Sequence, residues 1–328
     1  MTLLPLSPRE PPLRLGPFRT EAGVMLPELR VAYRRDGPPG PSAVLVVHAL
    51  TGSADAAGDW WEPLIGPGKA LDTDERQVIC INLLGSCYGT TGPRDLATFP
   101  PITPRDMARA QWQALDALGI SRLELTTGGS LGGMVALEVA LERPASVDAV
   151  VPIAAPAVIG NLAAGWNHIQ LRLLELDRNR GLELARQLAM TTYRSEVDFD
   201  TRDGIGSYLE HQGIKLRQRF DAGSYAALAG AMNAHDIGRD RGGLVGAFRL
   251  LADAGVSVTG VGIQDDILFG PRQVRALVDA ALTAGAAASY REICSDKGHD
   301  AFLVEWDQLT TFLREALSRQ ENRIAASA

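Results

Sequence analysis

What most constrains this chain is a repeated alternation of short, continuously apolar, β-branched runs with helical patterns. The runs are "SAVLVVHAL" (42–50), "RQVICINLLG" (76–85), "RLELTTGG" (122–129), "VDAVVPIAAP" (147–156), "VSVTGVGIQ" (256–264) and "ASYREICSDKG" (288–298). The first four do not alternate polar with apolar, which is the pattern of strands covered on both faces. Between them, "TPRDMARAQWQALDALG" (103–119) opens on Thr103 as N-cap with Pro104 at the first helical position and stops at Gly119. Near the end, "WDQLTTFLREALSR" (306–319) puts Leu309, Phe312, Leu313, Ala316 and Leu317 on one helix face. Strands alternating with helices predict an α/β fold, a mostly parallel central sheet with helices on both faces.

The rhythm breaks from about 157 to 247, where "IQLRLLELDR", "GLELARQLAM" and "GIGSYLEHQGIKLRQRF" read as helices without a strand among them. This predicts a helical lid inserted between two late strands, with core segments 1–156 and 248–328 on either side.

Composition narrows the functional classes. The formal net charge is −7 and no stretch concentrates Lys and Arg, so a nucleic-acid partner is not expected. Cys80, Cys87 and Cys294 are too few and too scattered for a disulfide framework or a zinc site, which fits a reducing cytoplasm. The start "MTLLPLSPREPPLRLGPF" is broken by prolines and carries Arg9 and Glu10 where a signal peptide needs an apolar run. No apolar stretch approaches the roughly 20 residues that span a bilayer. The expectation is a soluble, cytoplasmic protein with no membrane partner.

One motif carries chemistry. "GGSLGG" fits G-x-S-x-G through Gly128, Ser130 and Gly132, after an apolar strand and before an apolar helix. A serine on such a turn is a candidate nucleophile, and it needs a base that is oriented by an acid. In sheet enzymes of this build the order is Ser, acid, His. Of the five histidines, His48 precedes the serine, while His168, His211 and His235 fall in the helical block. His299, in a turn directly after the last strand run, is the remaining candidate base. Asp265 and Asp266, at the end of the preceding run, are both candidate acids, and spacing does not separate them. Backbone N–H groups for an oxyanion are expected from Leu131 and from Leu50 in the loop after "LVVHAL". "GVGIQD" lacks the third glycine of a dinucleotide fingerprint, "GPGKA" lacks a phosphate loop's spacing, and Cys87 reads as a loop-lining residue.

Several motifs taken together resemble the homoserine O-acetyltransferase family, acyltransferases with the α/β-hydrolase fold. They are "HALTGSADA", "LIGPGKALDTD", "INLLGSCYGTTGP", "GGSLGGMVALE", "GLELARQLAMTTYRSE", "SYLEHQG", "RFDAGSY" and "GHDAFLVE", running in the family's order from about 45 to 305. The resemblance implies acetyl-CoA as co-substrate with no further cofactor and no metal, L-homoserine as acceptor, and a step towards methionine. It implies Ser130 as nucleophile and His299 as base, and "DILF" selects Asp266 as the acid. It assigns Arg219 and Asp300 to the amino-acid acceptor, where a guanidinium suits the α-carboxylate and a carboxylate the α-ammonium. Alone, Arg219 reads as a helix-surface charge beside Lys215 and Arg217, and Asp300 as a helix N-cap. A homodimer through the lid is also implied. Ile267 and Gly223 depart from the family pattern, with a reshaped pocket as the expected effect. Succinyl-CoA in place of acetyl-CoA, serine in place of homoserine, and an esterase-type hydrolase are the alternatives on the same machinery.

Overall fold

The computed structural model describes residues 10–95 and 98–327. The start read from residues 1–9 and the final Ala328 of the tail lie outside the described residues.

Near the N-terminus, β1 (Leu13–Leu15), β2 (Phe18–Arg19), β3 (Met25–Leu26) and β4 (Leu29–Val31) form two antiparallel ribbons, β1 with β4 and β2 with β3. The main sheet holds β5 (Tyr33–Asp36), β6 (Ser42–Val47), β9 (Val78–Ile81), β10 (Arg122–Gly129), β11 (Ala149–Ile153), β12 (Ser257–Ile263) and β13 (Ala288–Ile293). A small parallel pair, β7 (Ile65–Gly66) with β8 (Leu71–Asp72), lies between β6 and β9 in the chain. The spatial order is β13-β12-β11-β10-β6-β9-β5, parallel throughout except for β5, which runs antiparallel to β9 at the edge. The six apolar runs predicted as strands are β6, β9, β10, β11, β12 and β13.

The continuous apolar character of these strands has a direct packing cause. Ala43, Leu45 and Val47 of β6 enter one core and Val44 and Val46 enter the other. The first core is closed by α1 (Pro104–Ala117) and α2 (Leu131–Glu142), and the second by α10 (Trp306–Ser327) through Leu309, Leu313, Ala316 and Leu317. In β10 a register shift lies between Leu123 and Leu125. Two residues apart, these leucines face opposite cores because the extra residue reverses the pleat.

Local signals set the helix starts. Thr103 accepts from the Asp106 N–H while Asp106 accepts from the Thr103 N–H, a reciprocal capping box that starts α1 ahead of Pro104. Between β11 and β12 run α3 (Asn161–Leu176), α4 (Arg178–Tyr193), α5 (Glu196–Asp200), α6 (Ile205–Arg219), α7 (Ala222–Asn233) and α8 (Gly243–Asp253). Of these, α4 packs along both α3 and α6. The expected boundary at 247 falls inside α8, which packs on α9 (Pro271–Thr283) and α2.

Candidate active site

Ser130 sits between β10 and α2, at the carboxyl edge of the sheet's central strand. Its backbone is strained, with φ 58° and ψ −126°, a conformation that L side chains rarely adopt. Two glycines make the turn possible. A Cβ on Gly128 or on Gly132 would collide with the Val47 carbonyl oxygen. The serine turn is thereby seated on the end of β6, where the next loop begins.

That loop is fixed from below by His48. Its Nδ1 donates to the Ala49 carbonyl at 2.8 Å, and its Nε2 accepts from the Leu83 N–H at 3.0 Å. Burial pushes its pKa down to about 4, so the ring is neutral and both nitrogens are committed. Leu50, two residues on, lines the same cavity as Ser130. Leu131 opens α2, where the first N–H groups have no intrahelical carbonyl to meet.

His299 lies in the turn after β13 and Asp266 in the turn after β12. His299 Nδ1 is 2.7 Å from Asp266 Oδ2, and both side chains are buried. Asp266 Oδ1 accepts from the Leu268 and Phe269 N–H groups at 2.8 and 2.9 Å. A carboxylate so held accepts only, so His299 carries its hydrogen on Nδ1 and presents the Nε2 lone pair. Nε2 is buried and has no hydrogen-bond partner among the described residues. Burial works against the charged ring, but the Asp266 carboxylate outweighs it by charge and hydrogen bond, and the His299 pKa is raised. Tyr193, Phe269 and Phe302 enclose the ring at centroid distances of 5.6, 5.5 and 5.7 Å. Asp266, rather than Asp265, is the carboxylate in contact with His299.

Ser130 and His299 open into one cavity of about 490 Å³, lined also by Arg219 and Asp300. Arg219, the last residue of α6, is no surface charge. Its Nη1 donates to the Thr51 carbonyl at 2.7 Å and to the Tyr88 hydroxyl at 3.0 Å, and its Nη2 donates to Thr51 Oγ1 at 3.3 Å. Asp300 lies in a short 3-10 turn that begins at Gly298, and its Oδ2 is 3.2 Å from Arg194 Nη2.

A family model described as the alpha/beta hydrolase fold matches residues 42–305. The homoserine O-acetyltransferase of Thermus thermophilus is 42% identical over 92% of this chain and 89% of its own length. That of Moorella thermoacetica is 38% identical over 93% and 95%. The chain belongs to the homoserine O-acetyltransferase family. The crystal structure of the Staphylococcus aureus homoserine O-acetyltransferase superposes with a TM-score of 0.84 at 31% identity, covering 93% of this chain and 94% of the other.

Against that family background, neither departure falls in the cavity. Ile267 is 52% exposed on the Asp266 turn, and Gly223 is buried in the first turn of α7. Neither lines the cavity. Sequence reasoning passed over Tyr193 and Arg194, although "TTYRSE" was among the motifs of the resemblance. From this one segment, Tyr193 packs its ring against His299, Arg194 pairs with Asp300, and Ser195 Oγ donates to the Asp296 carbonyl. Tyr88 was passed over in the same way, its motif having drawn attention only to Cys87. No helix among the described residues is long and apolar enough to cross a membrane.

Proposed function

We propose that this protein transfers an acetyl group from acetyl-CoA to the side-chain hydroxyl of L-homoserine, in the cytoplasmic synthesis of methionine. The observation that carries the reading is one cavity shared by Ser130, by His299 in contact with Asp266, and by Arg219 and Asp300.

Ser130 Oγ attacks the thioester carbonyl and gives its proton to His299 Nε2, the nitrogen left without a partner. The N–H groups of Leu131 and Leu50 hold the oxyanion. As the tetrahedral adduct collapses, the C–S bond breaks, His299 returns the proton to the sulfur, and acetyl-Ser130 remains. Homoserine then binds with its carboxylate at Arg219 and its ammonium at Asp300. Its hydroxyl gives a proton to His299 and attacks the acetyl carbon, and Ser130 Oγ leaves and recovers that proton. Asp266 keeps His299 in the required tautomer and stabilises the imidazolium.

Water would complete the second half as well as an alcohol does. The helical block over 157–247 therefore acts as a lid: Tyr193 and Arg219, from its α4 and α6, line the cavity and shield the acyl-enzyme. The same block is the homodimer interface in this reading. Leu162, Ile169 and Leu176 recur every seventh residue on α3 and are all exposed, with Leu176 at 82%.

The test is thiol release from acetyl-CoA with and without L-homoserine, beside succinyl-CoA and L-serine controls and the Ser130→Ala variant. Acceptor-dependent release with acetyl-CoA, lost in Ser130→Ala, is expected. Equal release without acceptor would make the protein a hydrolase, and turnover only with succinyl-CoA or serine would change the substrate.

A further inference from the structure

Three cations in the cavity lining make no ion pair among the described residues, Arg186, Lys215 and Arg219, and of these Arg219 alone is held by hydrogen bonds. Arg186 on α4 and Lys215 on α6 line the cavity that holds Ser130, and among the described residues neither has an ion pair or a hydrogen bond. Their neighbours differ. Arg194 pairs with Asp300 and Arg217 with Glu183, while the chain's other two lysines, Lys69 and Lys297, pair with Glu62 and Asp296. The Arg186 guanidinium carbon lies 5.3 Å from the centroid of the Tyr193 ring, a contact that braces the side chain without neutralising it. Lys215 is exposed and Arg186 half-buried, as side chains at a cavity mouth are. Because α4 and α6 pack together, the two charges come from adjoining helices of one wall.

The carboxylates of the lining do not cancel them. Asp300 is held by Arg194, and Asp59 pairs with neither cation, so the lining carries three unpaired cations, Arg186, Lys215 and Arg219, against one unpaired carboxylate among the described residues. A chain of net charge −7 repels anions in general, so uncompensated cations at a concave mouth select for an anion there. The acetyl carbon must reach Ser130 inside the cavity, which leaves the charged end of a long donor at the mouth.

We propose that Arg186 and Lys215 form a phosphate subsite for the nucleotide end of the acyl-CoA donor, separate from the Arg219 and Asp300 pair that takes the acceptor. The proposal rests on the acyl-CoA reading above. A planar guanidinium braced on a ring matches two phosphate oxygens at once, and the lysine adds a mobile point charge.

The experiment compares acetyl-CoA with acetyl-pantetheine, the same thioester without phosphates, at saturating L-homoserine. The proteins are wild type, Arg186→Gln, Lys215→Gln and the double variant. The acetyl-CoA KM is expected to rise roughly tenfold for Arg186→Gln and roughly threefold for Lys215→Gln, with kcat held. The KM values for acetyl-pantetheine and homoserine shift less than about twofold, which also shows that the variants are folded. Added salt lowers wild-type kcat/KM for acetyl-CoA, and the double variant loses most of that dependence. Equal rises for both thioesters, or a rise in the homoserine KM instead, overturn the subsite while leaving the acyl-CoA reading intact. If wild type acetylates homoserine from neither thioester, the acyl-CoA reading falls and the subsite falls with it.

Discussion

Arg219 Nη1 lies 2.7 Å from the carbonyl oxygen of Thr51, the residue after Leu50. The last turn of α6 is thereby tied to the loop that would supply an oxyanion donor. Tyr88 closes the link, its hydroxyl accepting from Arg219 Nη1 at 3.0 Å and donating to the Arg219 carbonyl at 2.9 Å. Arg219→Gln is expected to harm both half-reactions. The burst of thiol released from acetyl-CoA without acceptor should slow roughly tenfold, since a charged hydrogen bond to the loop is lost, and the homoserine KM should rise as well. An unchanged burst would confine Arg219 to the acceptor.

Asp266→Asn removes the acceptor that keeps hydrogen on His299 Nδ1. The expected loss in kcat is roughly 10³- to 10⁴-fold, with little change in KM. The pH profile supplies a second readout. In the proposed mechanism acylation needs neutral His299, so activity should rise with pH through its pKa, which the Asp266 charge holds above the ordinary value. Without that charge burial dominates, and the acid limb of kcat should move to lower pH. A limb that stays in place would mean that another group controls it.

How much of this was legible beforehand depended on how local each cause is. Of the six predicted strands, β6, β9 and β11 stood out because strands buried on both faces are apolar almost throughout, as Val44 to Val47 are. β1 to β5 did not, being two to four residues long and, except for β3, carrying charge, as in "YRRD" of β5. Ser130 was marked by glycines that its turn requires and His299 by its place after a strand. The choice between Asp265 and Asp266 rests on a turn in which the Leu268 and Phe269 amides meet Asp266 Oδ1, and no spacing encodes that. Tyr193 and Arg194 act across more than a hundred positions of chain, on His299 and Asp300. Contacts of that kind exist only once the chain has folded.

Arg194 yields a prediction of its own. It pairs with Asp300 at 3.2 Å and reaches Asp198 at 3.9 Å, but Asp198 keeps Arg202 and Lys297 when Arg194 is lost. Arg194→Gln should therefore fold normally and leave Asp300 without its orienting partner. A homoserine KM raised about tenfold, with an unchanged acetyl-CoA burst, is the expected split. Parallel losses in both half-reactions would instead assign Arg194 to holding the His299 turn.

Acid should destabilise the fold through two histidines that the proposed chemistry does not use. His48 and His235 are buried, and burial pushes both pKa values down to about 4. The unfolded chain takes up protons on them near pH 6.5 while the folded chain does not, so stability falls as pH drops from about 6.5 towards 4. By pH 5 the loss is about 2 kcal/mol for each ring, opposed in part by His299, whose pKa is raised. Urea unfolding at pH 7.5 and pH 5.0 measures it. His235→Gln should flatten the dependence, and an unchanged slope would show that His235 is not a source of it.

The strain at Ser130 has a measurable counterpart in stability. With φ 58° and ψ −126°, the residue occupies a region open to glycine and costly for any side chain. Ser130→Ala and Ser130→Gly should both abolish acyl transfer, yet differ in folding free energy. Relief of about 1–3 kcal/mol of strain exceeds the glycine's entropic cost of about 0.5–1 kcal/mol. Ser130→Gly should then be the more stable of the two by about 1 kcal/mol in chemical denaturation. A Ser130→Gly variant less stable than Ser130→Ala by that entropic cost would mean that the turn holds no strain, and that the serine's exposure to the cavity comes without cost to the fold.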